Sequence, residues 1–328
     1  MKIVIPLTIS VGLCWLLFTD IDFHEMMSII RQQCDFRWIA LCLVIATASH
    51  IFRAFRWGIQ LKALGIDTPK KILVYSIFGT YAVNLVFPRL GEVWRTGYVA
   101  QRHKAPFSTV FGSMIADRLA DSLTVLLLIA VTFFAASKEF LRYIETSGTG
   151  YRAIADMLCS PWFWLTTIAI ITAFCVLITR RNSNKFILKI QDAMKGLWKG
   201  FCVIITMPGR GRWLALTVGV WGCYFIQMYV CFFAFPFTKD ILLNHGIVAV
   251  LLTFTLTSIS MGVPSNGGIG PWQWAAIFAL GVYGLDVASA SAFANLVLGC
   301  NTLLLILLGL FTFIGIAADK KKLNEYKS

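Results

Sequence analysis

Asn84-Leu-Val-Phe-Pro88-Arg89-Leu-Gly91-Glu92-Val-Trp-Arg95 is the stretch that decides the fold. It closes a charge-free run that begins at residue 72. Proline removes a backbone donor and clashes with the preceding turn, so a helix entering this stretch has to stop in it. Pro88 is well placed to start the next helix, and a spacing of three then sets Arg89, Glu92 and Arg95 along one face, with Arg102 further on. A second break, Val263-Pro264-Ser-Asn-Gly267-Gly268-Ile-Gly270-Pro271, interrupts the charge-free run 241–285. Consecutive glycines cannot hold a helix together.

The medium around these breaks follows from composition. Of 328 residues 58% are apolar and 14% charged, and the mean hydropathy is +0.75, which excludes a water-soluble protein. Further charge-free runs cover 3–19, 38–52, 105–116 continuing past a charged patch to 122–137, 157–179, 213–238 and 287–318. Several reach the ~20 residues that cross a bilayer core. Broken backbone at membrane depth is tolerated only when it is buried in protein or lines a watery cavity. The expected fold is therefore an all-α, polytopic membrane helical bundle of about six full spans plus two re-entrant broken hairpins. Breaks entering from opposite faces fit the inverted-repeat pattern of many transporters, here on topology alone.

Lys and Arg are held on the cytoplasmic side of membranes. With the N-terminus inside and returns at 38–60, residues 1–2, 53–71, 88–106, 180–212 and 319–328 become cytoplasmic and hold 22 of the 29 basic residues. Both termini are then cytoplasmic in an inner, cytoplasmic membrane, and the net charge of +13 needs no nucleic-acid partner. Met1–Phe18 lacks a small-x-small cleavage site and is expected to be a retained span. Residues 1–318 read as one integral domain and 319–328 as a short basic tail. Within 185–201, Phe186, Ile190, Met194, Leu197 and Phe201 share one helical face opposite Lys185, Lys189, Lys195 and Lys199. That segment is either an in-plane interfacial helix or an ordinary basic connector. The nine cysteines include no C-x-x-C pair. Cys34 and Cys159 both fall in segments placed outside, where a disulfide is conceivable.

An ionised side chain at the bilayer centre costs at least ~2.5–3.5 kcal/mol, so each needs a partner or a purpose. Arg89, Glu92 and Arg95 form one group, with a helix N-terminus and surplus guanidinium suited to a phosphate or carboxylate. Asp117, Arg118 and Asp121 form a second, inside the apolar run from 105 to 137. Asp117 and Asp121 share a face and Arg118 can reach Asp121. The first group is their expected complement. Arg53, Arg56 and Trp57, with His50 nearby, end the second span, where snorkelling to the interface is the favoured reading. A structural ion-pair network with no ligand is the alternative for the first two groups. Asn84, Pro88, Gly91, Pro264, Gly267, Gly268 and Gly270 are the candidate hinge or cavity backbone. Gly-Gly-x-Gly without a following Lys is no phosphate loop, and neither a zinc-site spacing nor Gly-x-Ser-x-Gly occurs, so no metal, cofactor or catalytic residue is expected.

In order, Asn84-x-x-x-Pro88-Arg89-x-Gly91-Glu92-x-x-Arg95, Asp117-Arg118-x-x-Asp121 and Pro264-x-x-Gly267-Gly268-x-Gly270 resemble the flippase-like membrane domain of lysylphosphatidylglycerol synthases. The resemblance spans about residues 5–318. Family members usually carry Glu-Arg at the second motif, where this chain has Asp117-Arg118. The resemblance implies a lipid translocator or lipid-binding membrane protein, with Arg89, Arg95 and Arg118 on a lipid phosphate and Glu92, Asp117 and Asp121 holding those guanidiniums or meeting a cationic headgroup. The soluble aminoacyl-transferase domain of the two-domain enzymes is expected to be missing, since ten residues follow Ala318.

The function expected from residues and resemblance together is passage of an anionic or polar-headed membrane lipid between leaflets, without an ATP site. Two alternatives stay open. One is a membrane enzyme acting on a lipid-phosphate donor, with Asp117 and Asp121 on a divalent ion; the other is a non-transporting subunit that recruits a lipid-modifying enzyme. A homo-oligomer is a further expected arrangement.

Overall fold

Long apolar helices satisfy all their backbone donors and acceptors internally, which lipid demands, and the structure, a computed structural model, is built of them. It describes residues 23–136, 160–161, 165, 207–263 and 265–325. Its helices are α1 (Phe23–Gln33), α2 (Phe36–Ala63), α3 (Lys70–Val86), α4 (Leu90–His103), α5 (Phe107–Ala135), α6 (Arg210–Cys231), α7 (Pro236–His245), α8 (Ile247–Ser260), α9 (Pro271–Gly281) and α10 (Val287–Glu325). There is no strand among the described residues.

Among the described residues, four helices are long and apolar enough to cross a membrane: α2, α5, α6 and the Val287–Asp319 part of α10. They coincide with four of the six expected spans. The other two, 3–19 and 157–179, lie outside the described residues, as do the 185–201 segment, Cys159 and Pro264. Both broken hairpins are present: α3 and α4 join through 87–89, and α8 and α9 through 261–270. One feature differs from expectation. The run after residue 241 is not continuous, because α7 and α8 meet at 114° across Gly246, whose φ is +68°.

The spine is an antiparallel pairing of α2 with α6. From one end to the other, the Asp35 N–H donates to the Ala234 carbonyl (2.8 Å), the Cys42 and Cys231 sulfurs touch, Phe52 covers Gly219, and the Arg56 guanidinium lies over the Trp213 ring. In lipid such close approach relies on small residues and cross-helix polar contacts. The same device seats α10 on α3, where a Cβ at Gly309 would fall 2.3 Å from the Ala82 Cβ and one at Gly315 would strike the Tyr75 hydroxyl. Thr132 and Thr255 bond hydroxyl to hydroxyl at 2.7 Å, tying α5 to α8. Asp286 caps α10 by accepting the Ser289 N–H at 2.8 Å. Burial alone would raise that carboxyl; hydrogen bonds from Ser289 outweigh it and hold it below its ordinary value.

Apolar packing gathers in two main clusters. One centres on Phe232, Phe235 and Phe293. The other, around Trp57, Leu61, Ile77 and Val99, lies between α2, α3 and α4. A small third cluster holds Trp213 and Ala120.

Candidate functional site

The charged residues converge from three helices, α2, α4 and α5, onto the region where these clusters meet. Asp117 and Asp121 project from one face of α5 because four residues make about one turn. Arg56 of α2 spans both: its Nη2 lies 2.7 Å from Asp117 Oδ1 and 2.9 Å from Asp121 Oδ1. Arg53, one turn earlier, donates from Nη1 to Asp121 Oδ2 at 2.8 Å. Arg95 of α4 reaches Asp117 Oδ2 at 3.6 Å. Arg118 donates to Glu92, linking α5 to α4. Aromatic faces line the cations, with Arg95 4.6 Å from the Trp57 ring, Arg56 5.7 Å from Trp213 and Arg53 5.9 Å from Tyr224. Each such contact adds about 0.5–2 kcal/mol where water is excluded. The Trp57 N–H donates to Ser113 (3.0 Å) and the Trp221 N–H to Asp121 (3.4 Å), so the aromatic walls also anchor the network.

These placements correct three expectations. Arg53, Arg56 and Trp57 do not snorkel to the interface: Arg56 and Trp57 are fully buried and Arg53 nearly so. The charge-free part of the second span, 38–52, is too short to cross, so α2 has to continue past Arg53 and Arg56 and carry them inward. That shortfall was the signal for them in the sequence. Second, Arg118 pairs with Glu92 rather than Asp121, whose ion-pair partners come from α2. Third, Arg89 does not share a helix face with Glu92. It sits before α4 with φ of +66°, and its guanidinium donates to the Gly262 carbonyl at 2.7 Å.

That last bond joins the two hairpin tips. Leu85 lies where a Cβ on Gly267 would fall, 2.6 Å away, and Gly267, Gly268 and Gly270 all adopt positive φ, which a side chain disfavours. The Gln273 side chain accepts the Gly270 N–H at 2.9 Å and so starts α9. On the other hairpin Asn84 replaces the missing turn across Pro88. Its Oδ1 accepts the Gly91 N–H (2.8 Å) and its Nδ2 donates to Glu92 (3.3 Å).

Charge does not balance here. Among the described residues Arg53, Arg56, Arg95 and Arg118 face Asp117, Asp121 and Glu92, which leaves one positive charge beyond neutrality, and Arg89, donating to the Gly262 carbonyl, adds another. The loosest pairing is that of the buried Arg95, while Arg118, paired with Glu92, and Arg89 lie at the exposed edge of the network. The Arg118 side chain is 39% exposed, whereas those of Arg53, Arg56 and Arg95 are at most 8%. Val86, Phe87 and Leu90 from one hairpin and Met261 and Val263 from the other are exposed around Arg89. The arrangement is a cationic edge with an apolar rim.

The family described as lysylphosphatidylglycerol synthase TM region matches residues 3–309. The chain belongs to this family. A stretch of it is also similar to a glycosyltransferase, AglD, of Haloferax volcanii, with 32% identity over 124 residues. That match covers 38% of this chain and 20% of the relative's length. No solved structure matches the chain. As a lysylphosphatidylglycerol synthase TM region protein it is a multi-pass helical membrane protein, and residues 84–121 with 261–270 are its candidate site.

Proposed function

We propose that the protein is a lipid translocator of the cytoplasmic membrane, with both termini cytoplasmic, that moves a lipid bearing a phosphate headgroup between leaflets. One observation carries this reading: among the described residues the ion-pair network has more guanidinium than carboxylate, and two of its guanidiniums, on Arg118 and Arg89, sit at its exposed edge beside two touching broken hairpins. Guanidinium binds phosphate bidentately, and the apolar rim suits acyl chains that stay in lipid while the headgroup passes. Family membership supports the same class, since lysylphosphatidylglycerol is a phosphodiester lipid with a cationic headgroup that Glu92 could meet. A polyprenyl-phosphate-linked glycan has the same phosphate chemistry. The Haloferax volcanii relative is by name a glycosyltransferase, which agrees with a headgroup that carries a sugar.

Asp117 and Asp121 are engaged by Arg53, Arg56 and Arg95, which would compete with a divalent ion for them. The translocator reading therefore fits these carboxylates better than the enzyme reading does.

A charge-assisted hydrogen bond is worth about 1.5–3 kcal/mol, or about ten- to hundredfold in a rate or affinity. In vesicles carrying tail-labelled phosphatidylglycerol, the purified protein is expected to expose inner-leaflet label to an external quencher. Arg118→Gln and Arg89→Gln should each slow that phase about tenfold or more without lowering the thermal midpoint by more than a few degrees. Flux that is unchanged in both variants would remove the cationic edge from the mechanism.

A further inference from the structure

Cys42 and Cys231 occupy the end of the α2–α6 pair opposite the ion-pair network. Cys42 precedes Arg53 by eleven residues, about 16 Å along a helix at ~1.5 Å per residue. Their sulfurs are 3.0 Å apart, both side chains are buried, and the Cys42 thiol also reaches the Gln227 carbonyl at 3.4 Å. Both are free thiols. Nothing in the lipid-transport reading uses them, and packing alone calls for neither sulfur at so close a distance.

We infer that Cys42 and Cys231 are a redox-closable pair, whose disulfide ties α2 to α6 at the end of the spine remote from the charged network. Proximity drives the step more than reactivity does, because a buried thiol is otherwise inert while a held partner acts at a very high effective concentration. The oxidant is a small apolar disulfide that partitions into the bilayer. The Cys231 thiol, losing its proton, attacks one sulfur of that disulfide and displaces one thiolate, leaving a mixed disulfide on Cys231. Cys42 then attacks the Cys231 sulfur and displaces the second thiolate. Two cysteine thiols lose two electrons, the external disulfide is reduced to two thiols, and the two protons leave with them.

The inference stands whether or not the protein moves lipid. Protein in native-like membranes is treated with 4,4′-dithiodipyridine, denatured, alkylated and digested without reduction for mass spectrometry. The expected product is a peptide pair joined through Cys42 and Cys231, absent from C42S and from C231S. Recovery of Cys42 and Cys231 as alkylated thiols, as two separate pyridyl adducts, or as bridges to Cys34 or Cys300 would overturn the assignment.

Discussion

Arg56→Met is expected to lose about 3–5 kcal/mol of stability, because it strands buried carboxylates without their shared cation. Arg56 is fully buried, and so is Asp117, whose nearest guanidinium it supplies at 2.7 Å; the other, on Arg95, is 3.6 Å away. Methionine nearly matches the aliphatic stem and keeps the contact with Trp213, so the loss reports charge rather than volume. Thermal unfolding in a mild detergent should show a marked fall in midpoint. Adding Asp117→Leu should restore part of it, since the stranded carboxylate is removed, the remaining loss coming from Arg95, which gives up the same partner. Asp121 keeps Arg53 in that double variant. A single variant that melts with the parent would mean that the network contributes little to holding α2 on α5.

Gly91→Ala is expected to open the first hairpin. The added Cβ would lie 2.1 Å from the Thr80 carbonyl oxygen and 2.8 Å from Asn84 Oδ1. The nearer atom is backbone in the middle of α3 and cannot swing aside, so α3 and α4 have to separate and the Asn84 bond to the Gly91 N–H is lost with them. Overpacking of this kind costs about 1–3 kcal/mol or more. Gly97 supplies the comparison within the same helix, because nothing lies within 4 Å of its Cβ position. Gly97→Ala should gain up to about 1 kcal/mol from helix propensity. Opposite signs in the two unfolding midpoints are the expected result, and two small shifts of the same sign would contradict the close approach at Gly91.

Both predictions concern contacts of different legibility. The hairpin around Asn84–Glu92 could be read directly, since Pro88 and Gly91 announce a break that no hydropathy plot contradicts. The loop at 261–270 could be read for the same reason. Ion-pair partners could not. Spacing of three or four reports which residues share one helix face, as with Asp117 and Asp121, but the cation that bridges them comes from α2, about sixty residues earlier in the chain. Arg118 illustrates the limit: the nearby Asp121 satisfied the spacing rule, yet Glu92 on the facing helix is the partner. The bend at Gly246 was hidden for another reason, because a lone glycine inside an apolar run leaves the hydropathy signal intact while its backbone turns the chain. The Cys42–Cys231 contact is likewise a product of helix pairing that no local pattern encodes.

The proposed function rests on the exposed guanidiniums of Arg89 and Arg118 being a seat for a lipid phosphate. Lipid retained through gentle purification, identified by mass spectrometry, tests it most directly. The parent protein is expected to hold a phosphate-bearing lipid in preference to the neutral or zwitterionic lipids around it, and the Arg89→Gln, Arg118→Gln double variant to lose that preference while still folded. Retained lipid that simply mirrors the membrane's composition in both proteins would contradict it.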